Sequence, residues 1–149
     1  LCASITEATG APSTTSILAN NDLFRRHGVS NFGLVTPYTD DVQAKIIENF
    51  QKSGFHCVAE RHLGISDNFS FSEITEDLIE EMCRAVAADG AEAISIICTN
   101  MRGAALTEHL EAELGVVIYD SIAVVVRHAL ELSGIDPKRV TGWGRIFAQ

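Results

Sequence analysis

The sequence is short of basic residues and has no long apolar run. Its 149 residues contain 11 Lys and Arg against 20 Asp and Glu, which gives a formal net charge of −9. Such a charge repels nucleic-acid phosphates and anionic lipids, so we expect no nucleic-acid binding and no membrane association. No apolar stretch reaches the length of about 18 residues that a membrane span needs. The first residues also lack the pattern of a secretory signal, and we therefore expect a cytoplasmic protein.

The patterns of metal and nucleotide sites are also absent. No C-x-x-C pair and no zinc-finger spacing occurs, and the histidines share no motif. There is no P-loop, and residues 142–144 (Gly-Trp-Gly) lack the strand and helix that flank a dinucleotide fingerprint. We therefore predict a protein without metal or cofactor, in which all cysteines are reduced thiols. The four cysteines are Cys2, Cys57, Cys83 and Cys98.

Short apolar segments alternate with helical patterns along most of the chain. The predicted strands cover residues 32–35, 55–59, 93–97 and 116–119. The predicted helices cover residues 1–9, 17–27, 41–53, 75–88, 103–114 and 122–132. Four apolar strands alternating with helices imply a mostly parallel sheet with helices on both faces. We predict an α/β domain of flavodoxin or Rossmann type.

Polar side chains follow the predicted strands at one edge of this sheet. They lie in residues 36–39, 98–102 and 120–121, and near residues 67–68. In an open parallel sheet, ligands bind at the carboxyl ends of the strands. The turns at the opposite edge contain glycines instead: Gly28, Gly54, Gly90 and Gly115. This asymmetry favours a binding site at the carboxyl edge.

Cys98 is the strongest candidate for chemistry. It ends the apolar run 94–97 and precedes a predicted helix, whose free N–H groups would stabilise a thiolate. The alternative is a buried cysteine at a strand end without a chemical role. Core positions are the favoured interpretation for Cys57 in a strand, for Cys83 on an apolar helix face and for Cys2 in the first helix.

Neutral hydrogen-bond donors suited to a carboxylate lie at the same edge. The proline before Tyr38 fixes the backbone, so the phenol leaves the strand end in a defined direction. Thr36, Asn68 and the amides of Thr99 and Asn100 are further donors. Each residue also has an ordinary structural alternative, as a half-buried side chain or as part of a polar loop.

Four segments resemble the Asp/Glu racemase superfamily, and most closely its maleate cis-trans isomerase and arylmalonate decarboxylase branch. They are GAPSTTS (10–16), GLVTPY (33–38), ICTNMRG (97–103) and VIYDSI (117–122). The resemblance implies a pseudo-symmetric enzyme of two α/β lobes that uses no cofactor and, in its racemases and isomerases, takes one cysteine from each lobe. Cys98 would be the cysteine of the second lobe. Tyr38 and Asn68 fall where the carboxylate-holding residues of that family fall.

The cysteine of the first lobe has no counterpart in this sequence. Cys2 lies too close to residues 12–16 and within a predicted helix, so we do not assign it that role. We expect a core lobe at about residues 31–121, with the remainder belonging to a first lobe whose N-terminal part is missing. Such a chain would not complete a two-cysteine reaction alone, and its uncovered apolar surface would favour homo-oligomers.

The leading functional hypothesis is a cofactor-independent isomerase of the maleate cis-trans isomerase type, acting on a small carboxylate or dicarboxylate. A thiolate can add to an electron-poor alkene or exchange a proton beside a carboxyl group, provided that donors stabilise the developing charge. An arylmalonate-type decarboxylase and an amino-acid racemase stay open, because their substrates present carboxylates to similar donors. A non-catalytic small-molecule-binding α/β domain is the alternative from another class.

Overall fold

A computed structural model describes all residues of the chain, 1–149, as helices and strands in alternation. The helices are α1 (Cys2–Thr9), α2 (Ser16–His27), α3 (Asp40–Lys52), α4 (Glu76–Ala88), α5 (Thr107–Leu114) and α6 (Ser121–Leu132). The strands are β1 (Asn31–Thr36), β2 (His56–His62), β3 (Ala93–Ile96) and β4 (Val117–Asp120). Short 3₁₀ helices occupy Ser70–Glu73, Ala104–Leu106, Pro137–Arg139 and Arg145–Phe147. None of the helices is both long and apolar enough to cross a membrane.

The four strands form one parallel sheet in the order β2-β1-β3-β4. Alternate strand residues face two separate apolar clusters, so that Val35 packs with α4 and α5 while Leu34 packs with α2, α3 and α6. This arrangement confirms the predicted α/β class with helices on both faces. It also places β1 and β3 side by side at the centre of the sheet, so their carboxyl ends are neighbours.

A glycine in β1 allows α4 to lie directly on the sheet. A Cβ atom added to Gly33 would stand 2.8 Å from Cβ of Val86 and 3.0 Å from Cβ of Ala91. Real Cβ atoms do not approach so closely, and any larger residue would push the helix away from the strand. Gly33 thereby holds β1, and the turn that follows it, at a fixed depth beneath α4.

Most predicted element boundaries lie within two residues of those observed, and two differences affect the site. The predicted helix 103–114 begins as a 3₁₀ turn at Ala104, and α5 starts only at Thr107. Strand β2 continues to His62, where it pairs with Thr36, so residues 60–62 belong to the sheet and not to the following loop.

The segments outside residues 31–121 pack on the same sheet as the rest. Phe24 of α2 packs edge-on against Tyr119, with 4.8 Å between the ring centroids. Ala123 and Phe147 belong to the same apolar cluster. Their assignment to another lobe in a longer chain stays a prediction. Helix α1 differs from them because it contains no buried residue. The expected core position of Cys2 is therefore wrong.

Candidate active site

Cys98 and Tyr38 meet at the carboxyl ends of the two central strands. Cys98 follows β3 and is 4% exposed, whereas the half-buried Tyr38 follows β1. The Ile97 N–H donates to the carbonyl oxygen of Val35 at 2.9 Å, which extends the pairing of the two strands into the turns. The Tyr38 ring packs edge-on against Phe71, with 5.4 Å between ring centroids.

The phenol of Tyr38 is kept neutral by its surroundings. Burial and the adjacent Cys98 sulfur raise the pKa of Tyr38 to about 12. A neutral phenol retains its proton and can donate a hydrogen bond to an anion. The structure thus places one neutral donor next to one thiol, as the strand-end positions of the two residues predict.

Asn100 joins the loop after β3 to the long connection after β2. Its backbone N–H donates to Sγ of Cys98 at 3.4 Å. Its side-chain Nδ2 donates to the carbonyl oxygen and to Oδ1 of Asn68, at 3.1 and 3.2 Å. These contacts bring Asn68 to the same edge as Cys98, although 30 residues separate them in the sequence. The side chain of Thr99, between Cys98 and Asn100, is exposed.

Thr36 does not offer the free donor that the sequence suggests. Its side chain is fully buried, and its hydroxyl donates to Oε1 of Gln43 at 2.7 Å. The hydroxyl oxygen of Thr36, Oγ1, also accepts the backbone N–H of Tyr38 at 3.4 Å. Because a hydroxyl has only one proton to donate, Thr36 serves the turn that carries Tyr38 and cannot also donate to a ligand.

The expected helix N-terminus at Cys98 is also wrong. A turn follows the cysteine, and the first helical residues are those of the 3₁₀ segment Ala104–Leu106. One amide, that of Asn100, donates to the sulfur in place of a set of free helix N–H groups.

Cys57 and Cys83 have surroundings that disfavour a thiolate. Burial raises the pKa of Cys57 to about 11, and its sulfur donates to the carbonyl oxygen of Ala59 at 3.2 Å. Burial in the core beneath α4 raises the pKa of Cys83 to about 12. Cys83 is therefore a core residue, as predicted, and Cys57 is a half-buried strand residue.

Asp120 contributes a buried carboxyl to the same edge. Its Oδ1 accepts the N–H groups of Ile122 and Ala123 at 2.8 and 3.1 Å, so Asp120 caps the N-terminus of α6. Its Oδ2 is buried without a hydrogen-bond partner, and a Cβ added to Gly103 would stand 2.9 Å from it. Burial raises the pKa of Asp120 to about 6. A capping residue is recognisable in the sequence, but an oxygen left over after capping is not.

Gln43 supports the site but was not among the residues predicted from the sequence. It is 2% exposed and lies on the buried face of α3, seven residues before Phe50. A polar residue at helical spacing within an apolar face was the available signal, because a buried amide needs partners for both of its ends.

Clefts adjoin both edges of the sheet. One of about 440 Å³ lies beside the loop after β2 and is lined by Leu63, Ile65 and Ser70. Two others lie at the opposite edge. One of about 680 Å³ is lined by Glu111, Gly115 and Arg145, and one of about 460 Å³ by His27 and Tyr119. No group of three or more His, Cys, Asp or Glu side chains converges to hold a metal ion. The contacts between Cys98, Tyr38, Asn100 and Asn68 therefore define the candidate site, and cavity volume does not.

Comparison with known proteins relates this chain to two kinds of enzyme. The family model described as "Arylmalonate decarboxylase" matches residues 1–147. Arylmalonate decarboxylase from Bordetella bronchiseptica is 28% identical over 149 residues, which are 99% of this chain and 62% of that protein. The chain thus spans less than two thirds of the length of this relative.

Solved structures show the same fold. A variant of Nocardia farcinica maleate cis-trans isomerase with a covalently bound succinylcysteine intermediate superposes with a TM-score of 0.89 at 22% identity, over 98% of this chain and 62% of that one. Unliganded arylmalonate decarboxylase superposes with a TM-score of 0.87 at 26% identity, over 99% of this chain and 65% of that one. The carboxyl-edge cluster thus lies in a fold shared with maleate isomerases and arylmalonate decarboxylases.

Proposed function

The chain belongs to the arylmalonate decarboxylase family of the Asp/Glu racemase superfamily. From this membership we propose that it is the part of a cofactor-independent enzyme that contributes Cys98 to the active site. The enzyme acts on the carbon next to a carboxylate. Its reaction is cis-trans isomerisation of a small dicarboxylate such as maleate. The observation that carries the proposal is the contact of a buried thiol with a neutral phenol and with the Asn100 amide at one sheet edge.

The donors of this cluster suit a carboxylate whose negative charge grows during the reaction. Tyr38 donates through its neutral phenol. Because Oδ1 of Asn68 accepts from Asn100, Nδ2 of Asn68 is the end of that amide left to donate. Neutral donors attract the substrate locally, which a chain of net charge −9 cannot do through its overall field.

Isomerisation needs a sulfur that can form and break one bond. A thiolate adds to one alkene carbon, and the π electrons move to the neighbouring carbon and into its carboxylate. The resulting C–C single bond rotates, the electron pair returns, and the C–S bond breaks to release the trans product. Cys98 takes part in this cycle either as the attacking thiolate or as the thiol that exchanges a proton with the charged carbon.

Decarboxylation is the second candidate, favoured by the family model and by the curated relative. In this reaction the bond to one carboxyl group breaks and its electron pair stays on the adjacent carbon. The Cys98 thiol then gives its proton to that carbon, and Tyr38 and Asn68 hold the remaining carboxylate. The two reactions share the same site and differ in which bond of the substrate breaks.

Proton NMR in D₂O distinguishes these reactions. We expect the enzyme that contains this chain to convert maleate to fumarate, with the conversion lost in Cys98→Ser and kept in the matched control Cys57→Ser. Conversion of phenylmalonate to deuterated phenylacetate instead would identify a decarboxylase. Turnover that persists in Cys98→Ser would overturn the proposal.

A thiol probe separates the enzyme from a non-catalytic binding domain. Near neutral pH, Cys57 and Cys83 are held as thiols by their raised pKa values. We expect iodoacetamide to label Cys98 faster than either, and maleate to protect Cys98, when the sites are followed by peptide mass spectrometry. An inert Cys98 in a protein that binds maleate without turnover would favour the binding domain.

A further inference from the structure

A hydrogen-bond relay lies behind the turn that carries Tyr38. The buried Gln43 accepts the Thr36 hydroxyl through Oε1 at 2.7 Å and donates through Nε2 to Oε2 of Glu60, also at 2.7 Å. Thr36 Oγ1 in turn accepts the backbone N–H of Tyr38 at 3.4 Å. A single side chain of α3 thereby connects the end of β2 to the Thr36–Tyr38 turn.

The far end of this relay is fixed as well. His62 approaches Oε2 of Glu60 with Nδ1 at 2.7 Å and Oδ1 of Asp40 with Nε2 at 2.9 Å. Glu60 therefore has partners on both sides, the amide of Gln43 and the imidazole of His62. A carboxylate held in this way gives Gln43 one rotamer, because the amide must present Nε2 to Glu60 and Oε1 to Thr36.

The opposite side of the turn is held by backbone hydrogen bonds. Gly64 N–H donates to the Tyr38 carbonyl oxygen at 3.0 Å, and Ile65 N–H donates to the Pro37 carbonyl oxygen at 2.9 Å. On the Thr36 side, the relay through Gln43 performs the same task. Without Gln43, the buried Thr36 hydroxyl would have to turn to another acceptor and would release the Tyr38 amide.

From these contacts we infer that Gln43 is a positioning residue, which acts through Thr36 to set the direction of the Tyr38 phenol beside Cys98. The inference rests on the proposed function for the role of Tyr38 toward substrate. Its structural part stands independently, because it concerns where the phenol lies before any ligand binds.

Carbon-13 NMR of tyrosine tests the structural part directly. The chain contains 2 tyrosines, and Tyr119 is buried in the aromatic cluster, where its hydroxyl is 2.8 Å from Nδ1 of His27. With tyrosine labelled at Cζ, we expect Gln43→Leu to shift and broaden the Tyr38 line while the Tyr119 line stays in place. Gln51→Leu, an exposed glutamine on the same helix, is the matched control and should move neither line.

Exchanging the two partners provides a rescue. In the double variant Gln43→Glu with Glu60→Gln, one carboxylate oxygen accepts from Thr36 and the other accepts the new amide, so the relay re-forms. We expect the Tyr38 line of this double variant to return toward its original position, whereas each single substitution displaces it. An unmoved Tyr38 line in a folded Gln43→Leu protein, or a double variant no closer to the original than the single ones, would overturn the inference.

Maleate binding then tests the link to function. We expect Gln43→Leu to lower the apparent affinity for maleate, measured from the shift of the Tyr38 line, by about five- to tenfold. In a Tyr38→Phe background, where maleate binding is measured by protection of Cys98, Gln43→Leu should cause no further loss of affinity. Failure of the original protein to respond to maleate would refute the proposed function but leave the positioning result intact. Equal losses with and without the phenol would show that Gln43 does not act through Tyr38.

Discussion

The two edges of the sheet use their residues for different purposes. At the amino edge, each strand follows a glycine with positive φ, namely Gly28 at 69°, Gly54 at 90°, Gly90 at 93° and Gly115 at 75°. These positions turn the chain in a conformation that favours glycine. At the carboxyl edge, polar side chains contact one another across the loops, and the Asp120 carboxyl is left with a partnerless oxygen. Clefts adjoin both edges, with volumes of about 680 and 460 Å³ at the amino edge and about 440 Å³ beside the loop after β2, so the contacts between polar side chains are the better guide to function here.

Among substitutions at the two edges, Cys98→Ser is expected to have the largest effect on turnover. In the enzyme that contains this chain, loss of the sulfur should lower turnover of maleate at least a hundredfold, the usual contribution of a group that transfers a proton or attacks the substrate. The Asn100 N–H retains an acceptor in the serine hydroxyl, so the free energy of unfolding should fall by only about 1 kcal/mol. Steady-state kinetics and urea unfolding measure the two effects, and Gly115→Ala at the amino edge should leave turnover intact.

Substitution of the two tyrosines, one at each edge, should show the same contrast with a smaller effect on kcat/KM. Tyr38→Phe removes a donor from the carboxyl edge and should reduce kcat/KM about tenfold to a hundredfold, because a hydrogen bond to a charged group contributes about 1.5–3 kcal/mol. Tyr119→Phe removes the hydrogen bond to His27 at the amino edge and should lower stability with little change in kcat/KM. Equal kinetic effects of the two substitutions would contradict the division between the edges.

The fold was predictable because its signals are local. Alternating apolar and helical segments indicate the strands, and glycines after helices such as Gly28 and Gly115 mark the turns. The positions of Cys98 and Tyr38 at one edge follow from the parallel topology alone. No tertiary contact is needed to make these predictions.

One error is local, and the others concern contacts between distant parts of the chain. The predicted helix 103–114 has no capping side chain at its start, and residues 104–106 form a 3₁₀ helix after a turn. The Thr36 proton is used by Gln43, which approaches only when α3 packs beside β1. The contact of Asn68 with Asn100 spans 32 residues. Local patterns identify the groups that can donate but not the groups already engaged.

Substitution of one glycine at each edge by alanine compares how tightly the two edges are packed and whether that packing affects turnover. Gly103→Ala would place a Cβ atom 2.9 Å from Oδ2 of Asp120 and from Cδ1 of Ile96, so the loop after Cys98 must shift. We expect about 1–3 kcal/mol of destabilisation together with a loss of turnover. Gly115→Ala meets no atom within 4 Å but has φ of 75°, and it should cost about 1 kcal/mol without kinetic effect. Thermal unfolding and kinetics of the two variants test the contrast, and unchanged turnover in Gly103→Ala would remove the loop from the site.

Substitutions of two buried carboxyls, one on each edge, should change the free energy of unfolding with opposite signs. Glu111 at the amino edge accepts the Ile118 N–H at 2.8 Å and the Arg145 N–H at 2.6 Å, one with each oxygen. Glu111→Gln replaces one acceptor with a donor facing an N–H group and should destabilise the protein by about 1–3 kcal/mol. Asp120 keeps one oxygen without a partner, so Asp120→Asn retains the cap and should stabilise the protein at pH 7.

The pH dependence of stability independently tests the sign of the effect of Asp120→Asn on the free energy of unfolding. The folded-state pKa of Asp120, about 6, lies above its usual value of 3.8, so the folded protein binds this proton more tightly than the unfolded chain. The contribution of this carboxyl to stability is therefore fully present below pH 4 and is lost as the pH rises through 6, at most about 3 kcal/mol. Urea unfolding of both proteins from pH 4 to 7 should show a fall in the original chain that is reduced in Asp120→Asn. Parallel curves would mean that the buried oxygen of Asp120 has a partner after all.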